Sequence, residues 1–173
     1  MKFARIAFAA LLFAGAASAQ DDEAREKSEG AKNTRALVAA MKEASVTLAA
    51  GLSASEAQGT PLSGKFELED GKLQLSIYTM KDGKFYEVIV DHKTGKIAKT
   101  DPITGGEDLT AAQHQAAAIA KSKRSLREAV TQAEQANAGY HAISAEAEIE
   151  DGALQADLIL LKGSQSKHVE QKL

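Results

Sequence analysis

The residues best placed to do chemistry are carboxylates on alternating positions. Glu67 and Glu69 recur as Glu148 and Glu150, each pair interleaved with apolar neighbours: Phe66 and Leu68 in the first, Ala147 and Ile149 in the second. Paired carboxylates can do general acid–base work. Alternation on a half-buried strand also places them together on the sheet face turned away from the core. A solvated acidic face is therefore expected, one that could meet a basic partner or a divalent cation. The other chemistry-bearing groups are scattered. His92, His114, His141 and His168 stand at no metal-site spacing, and the chain has no cysteine, so no zinc cluster and no disulfide is read here. His92, in a turn after Asp91, is expected at the surface. Thr94-Gly95-Lys96 lacks the first glycine and the final hydroxyl of a phosphate loop, with Val90 and Ile97 in those places. Asp91-x-Lys93-x-Gly95 puts a cation where a calcium loop needs a ligand. No G-x-S-x-G elbow occurs. Lys121–Arg124 (KSKR) could attract an anion but reads as a solvated stretch. No catalytic residue, cofactor or metal ligand is assigned, and the chain is read as no enzyme.

The elements carrying these residues occur twice. Residues 66–77 (FELEDGKLQLSI) and 147–158 (AEIEDGALQADL) align at an offset of 81, with Glu67/Glu148, Glu69/Glu150, Asp70/Asp151, Gly71/Gly152, Leu73/Leu154 and Gln74/Gln155 identical. A long period with a hairpin at its centre indicates a duplicated unit rather than a solenoid. Asp70-Gly71 and Asp82-Gly83 suit two-residue turns that need positive φ. Strands are expected over 65–69, over the return run carrying Leu73, Leu75 and Ile77, over 85–90 as a central strand, and over 96–100 as a short edge. In the second half they are expected over 144–150, 153–161 and 167–173. A helix begins near Thr34 and places Val38, Met41, Ser45, Leu48 and Leu52 on one stripe as far as Gly59-Thr60-Pro61. Thr110-x-x-Gln113 and Ser125-x-x-Glu128 resemble capping boxes, and KSKR lies between them, so the second helical region is one weak-centred helix or two. Leu73, Ile77, Val88, Leu126, Val130, Leu154 and Leu158 are the expected core.

At the N-terminus, Lys2 and Arg5 precede an apolar run from Ile6 to Ala17 and an Ala17-Ser18-Ala19 cleavage pattern. Residues 1–19 are thus expected to be a signal peptide cleaved after Ala19, which makes the protein periplasmic or secreted. Residues 20–33 are polar and expected to be flexible. The 24 acidic and 21 basic residues give a net charge of −3, which becomes −5 when Lys2 and Arg5 leave with the leader. That balance argues against nucleic acid and against an anionic membrane as partners.

Ser125-Leu126-Arg127-Glu128-Ala129-Val130-Thr131-Gln132-Ala133 resembles the helix that opens a PepSY domain. Lys84-Phe85-Tyr86-Glu87-Val88-Ile89-Val90-Asp91, followed by Lys93-Thr94-Gly95-Lys96-Ile97, resembles that family's closing strand and turn. The first unit has a degenerate helix start (Thr47–Leu52) and the second lacks the closing hairpin. The resemblance covers residues 45–100 and 125–173. It implies α+β architecture: two tandem units, each a helix packed on a small antiparallel sheet, over 34–100 and 110–173 with a linker at 101–109. It also implies a non-catalytic protein-interaction module that recognises another exported protein, in some relatives a peptidase that is restrained. The alternative is a periplasmic small-ligand or metal-binding module. The partner-binding edge is expected in the last strand, at His168, Val169, Glu170 and Gln171.

Overall fold

A computed structural model describes residues 34–173. The leader expected over 1–19 and the polar segment over 20–33 lie outside the described residues.

Mixed helix and antiparallel sheet form one body. Helix α1 (34–40) runs into a 3-10 turn, Met41–Glu43, and the chain then breaks before α2, Leu48–Ser55. The single stripe expected from Val38 to Leu52 is therefore two helical segments bent by 72°. The physical cause is local. Ala44 is extended, and the Thr47 hydroxyl accepts the Ala50 N–H at 3.2 Å, which starts a new helix. Among the described residues no single helix is long and apolar enough to cross a membrane.

Seven strands follow: β1 Thr60–Glu69, β2 Lys72–Lys81, β3 Lys84–Val90, β4 Ile97–Ile103, then α3 Gly106–Ile119 and α4 Leu126–Ala136, then β5 His141–Glu150, β6 Ala153–Lys162 and β7 Gln165–Lys172. All seven belong to one sheet in the order β4-β3-β2-β1-β5-β6-β7. Asp70-Gly71, Asp82-Gly83 and Asp151-Gly152 all have positive φ, as two-residue hairpins of this kind require. β1 and β5, and β2 and β6, have bounds that differ by 81, and so do their bulges at Leu62 and Ile143. β1 meets β5 over three residue pairs only, Ser63–Lys65 against Glu146–Ser144.

Several boundaries differ from the sequence reading: β1 begins at Thr60 rather than at 65, and β5 at His141 rather than at 144. β4 continues through Asp101, Pro102 and Ile103, part of the expected linker. Proline is tolerated there because β4 is an edge strand, where a nitrogen turned outward needs no partner. Thr110 lies inside α3, with its hydroxyl on the Gly106 carbonyl, and caps nothing. The Ser125–Glu128 capping box does form, so two helices flank KSKR.

The core lies between one sheet face and helices α2 and α4. Leu75, Ile77, Val88, Val90, Leu158 and Leu160 are buried there with Leu48, Leu52, Leu126 and Val130. α2 approaches closely because Gly51 in α2 faces β2 and Gly64 in β1 faces α2 and Ile77. A Cβ on Gly51 would stand 2.6 Å from Leu75 Cδ2, and one on Gly64 would stand 2.6 Å from Ile77 Cδ1. Leu154, expected in the core, is only half-buried at the start of β6. Helix α3 takes the other face. Its Ala112 and Ala116 pack on Leu62, Met80 and Phe85.

Candidate functional site

The face that α3 shares with solvent carries the chain's polar chemistry. Side chains of paired residues stand side by side on one face of an antiparallel sheet, so the register arranges them in rows. One row runs Glu87, Tyr78, Ser63, Glu146, Asp157, Glu170, and the next runs Ile89, Ser76, Lys65, Ser144, Ile159, His168. α3 reaches into the first row through a buried glutamine. Gln115 Oε1 accepts the Ser63 hydroxyl at 2.8 Å, and its Nε2 donates to Glu146 Oε2 at 3.3 Å.

The carboxylates expected to be solvated are therefore mostly half-buried and bonded. Glu67 pairs with Lys65 at 2.8 Å and accepts the Ser76 hydroxyl at 2.8 Å. Gln155 Nε2 donates to Glu148 Oε1 at 3.1 Å and to Glu150 Oε2 at 2.7 Å. Of the four glutamates singled out by alternation, only Glu150 is exposed. Crowding and burial raise proton affinities. Glu146 is pushed up to about 7, first by burial and then by the charges of Asp157 and Glu148. Glu87 is raised mainly by burial, and Tyr78, whose hydroxyl donates to Glu87 at 3.4 Å, is raised by burial and by the Glu87 charge.

Glu146, Glu148 and Asp157 each offer a carboxylate oxygen within 4.8 Å of the other two. On the far side of Asp157, the His168 ring touches its Oδ1. Glu146 and Asp157 were not singled out from the sequence. The signal was present, because the Asp151-Gly152 turn fixes a register in which 146 faces 157. His92, expected at the surface, is half-buried. Its carbonyl accepts the N–H groups of Ser45 and Val46 at 2.9 and 3.0 Å, which ties the Asp91–Gly95 turn to the corner between α1 and α2.

The last strand is an edge, and its hydrogen-bonding pattern sorts the four expected partner-binding residues. Leu173 N–H donates to the Leu154 carbonyl at 3.1 Å, which makes 173–154 a bonded pair. Bonded pairs alternate along an antiparallel ladder. Val169 and Gln171 thus turn their backbone groups inward to Leu158 and Ala156, whereas His168 and Glu170, with Ser166, turn theirs outward. Lys172 is also outward, but its carbonyl accepts from Arg124 Nη1 at 3.5 Å. KSKR itself is a loop between α3 and α4. Its Lys121, Lys123 and Arg124 border an open hollow that Lys172, Glu170, Leu154 and Leu173 also line.

No family model matches this chain, and neither a curated protein nor a solved structure does.

Proposed function

We propose that this chain is a non-catalytic, exported interaction module made of two tandem PepSY-like units, and that it recognises another exported protein, a peptidase in the reading its resemblance favours. The offset of 81 supports the duplication. It recurs in strand bounds, in both bulges and in the last residues of α2 and α4, Ser55 and Ala136. Recognition is supported by one observation above the rest: among the described residues β7 is an edge strand, and its Ser166, His168 and Glu170 turn their backbone groups outward with no strand beside them. The opposite edge, β4, is blunted by Pro102, which has no N–H to offer. A partner strand would add to β7 through main-chain hydrogen bonds.

The test is Glu170→Pro, which removes an outward donor and leaves the inward ladder in place. Val169→Pro is the control that breaks the ladder itself. Proteins retained from periplasmic extract are identified by mass spectrometry and assayed for peptidase activity. Loss of the captured partner on Glu170→Pro, with circular dichroism unchanged, is the expected outcome. Equal capture by that variant excludes strand addition at β7. The three clustered carboxylates favour a second reading, a periplasmic cation-binding module.

A further inference from the structure

We propose that Glu146, Glu148 and Asp157, with the hydroxyl of Ser144, form a binding site for one calcium-sized divalent cation on the polar face of β5 and β6, beside α3. The inference deepens the second reading and is independent of recognition at β7.

Charge balance is the first ground. Three carboxylates lie within 4.8 Å of one another, and Glu170 stands directly opposite Asp157 on β7. Among the described residues no lysine or arginine pairs with any of the three; the one cation on the neighbouring row, Lys65, is paired with Glu67, and its charge offsets only part of the excess at Glu146. The groups that do touch them are polar: Gln115 on Glu146, Gln155 on Glu148 and His168 on Asp157. These contacts engage Glu146 Oε2, Glu148 Oε1 and Asp157 Oδ1, which leaves the second oxygen of each carboxylate to turn toward an ion.

The second ground is independent. Ser144 is 6 % exposed, and its hydroxyl has no hydrogen-bond partner among the described residues. It stands one pleat from Glu146 on the same face of β5, diagonal to Asp157. A buried hydroxyl left unpaired is costly, because it has given up water and gained nothing. An ion held by its neighbours, or a water in that ion's shell, supplies the missing partner.

Size and softness select the ion. Carboxylate and hydroxyl oxygens suit hard cations. Calcium bonds oxygen at about 2.4 Å, so oxygens on opposite sides of its shell lie about 4.8 Å apart. The trio fits inside that limit as it stands. Magnesium, at about 2.1 Å, demands a tighter and more regular shell. His168 lies outside the shell and orients Asp157, as groups behind a ligand do.

The experiment titrates the full chain, stripped with chelator, with calcium chloride by isothermal calorimetry and by thermal melting, against magnesium chloride and against sodium chloride at matched ionic strength. The expected result is saturable binding of one calcium per chain and a rise in Tm of several degrees, with a smaller response to magnesium. Glu148→Gln and Asp157→Asn should each weaken binding at least tenfold, and Glu69→Gln, outside the trio, should not. Because both variants remove a repelled charge, their melting points without calcium should equal or exceed that of the parent, which separates lost binding from lost folding. No saturable heat in the parent overturns the site. So does an undiminished calcium response in both variants, which would mark diffuse binding to an acidic surface.

Discussion

Gly51 sits inside α2, where glycine is a poor helix former, and Gly51→Ala tests why it is there. In an open helix the change would stabilise by about 1 kcal/mol. Here the added methyl would lie 2.6 Å from Leu75 Cδ2 and 3.3 Å from Leu75 Cγ, with Ile77 Cδ1 at 3.6 Å. Leu75 and Ile77 are fully buried, so neither side chain has open space to retreat into. Overpacking of this kind costs about 1–3 kcal/mol. Subtracting the propensity gain leaves a net loss of about 0–2 kcal/mol, measurable by urea denaturation. A double-mutant cycle separates the two terms. In a Leu75→Ala background the obstructing atoms are gone, so Gly51→Ala should turn stabilising, by up to about 1 kcal/mol, and fill part of the new cavity. If Gly51→Ala stabilises the parent as much as it stabilises the Leu75→Ala protein, α2 does not approach β2 this closely and the glycine has no packing role.

Two further outcomes follow from burial and charge. Leu158→Ala should cost about 2–5 kcal/mol, because that side chain is fully enclosed, whereas half-buried Leu154→Ala should cost clearly less; equal losses would misplace the start of β6. Glu146 holds its proton to about pH 7 in the folded chain against an ordinary 4.5, so below about 4.5 it is protonated in both states and stability is unaffected. As pH rises from 4.5 to 7 the folded state retains a proton that the unfolded chain releases, so stability falls across that window. Partial exposure of the side chain limits the loss to about 1–2 kcal/mol, and Glu146→Gln, melted in chelator at pH 5 and pH 8, should flatten the slope. An unchanged slope in Glu146→Gln would assign the effect to other groups.

Local signals carried much of the architecture. Each Asp-Gly pair marks a turn because few residues tolerate positive φ, and the Ser125–Glu128 box marks a helix start because its two side chains bond within four residues. What local signals could not place was tertiary. Nothing near Ala112 or Ala116 says which sheet face α3 will cover. That choice half-buries Glu146 and leaves Glu150 in water. The repeat picked out Glu148 and passed over Glu146, which lies on the same alternation one pleat earlier, and Asp157, which faces Glu146 only through the register set by the Asp151-Gly152 turn. Pro102 read as a linker because a proline breaks most ladders, and only the position of β4 at the sheet's edge makes it harmless.

The brief meeting of β1 with β5 sets an order of events in folding. The hairpins on either side close through two-residue turns, whereas Ser63–Lys65 must find Ser144–Glu146 across some eighty intervening residues. Closing a loop of that length costs entropy that three residue pairs cannot repay alone. The junction therefore forms late, once α2 and α4 have begun to cover it, and it governs how fast the whole sheet is completed. Until then each half exposes an inner strand edge, and a second chain at high concentration could take the place of the missing half. Exchange of halves between copies is the failure this topology invites, and dilution during refolding is the remedy it calls for.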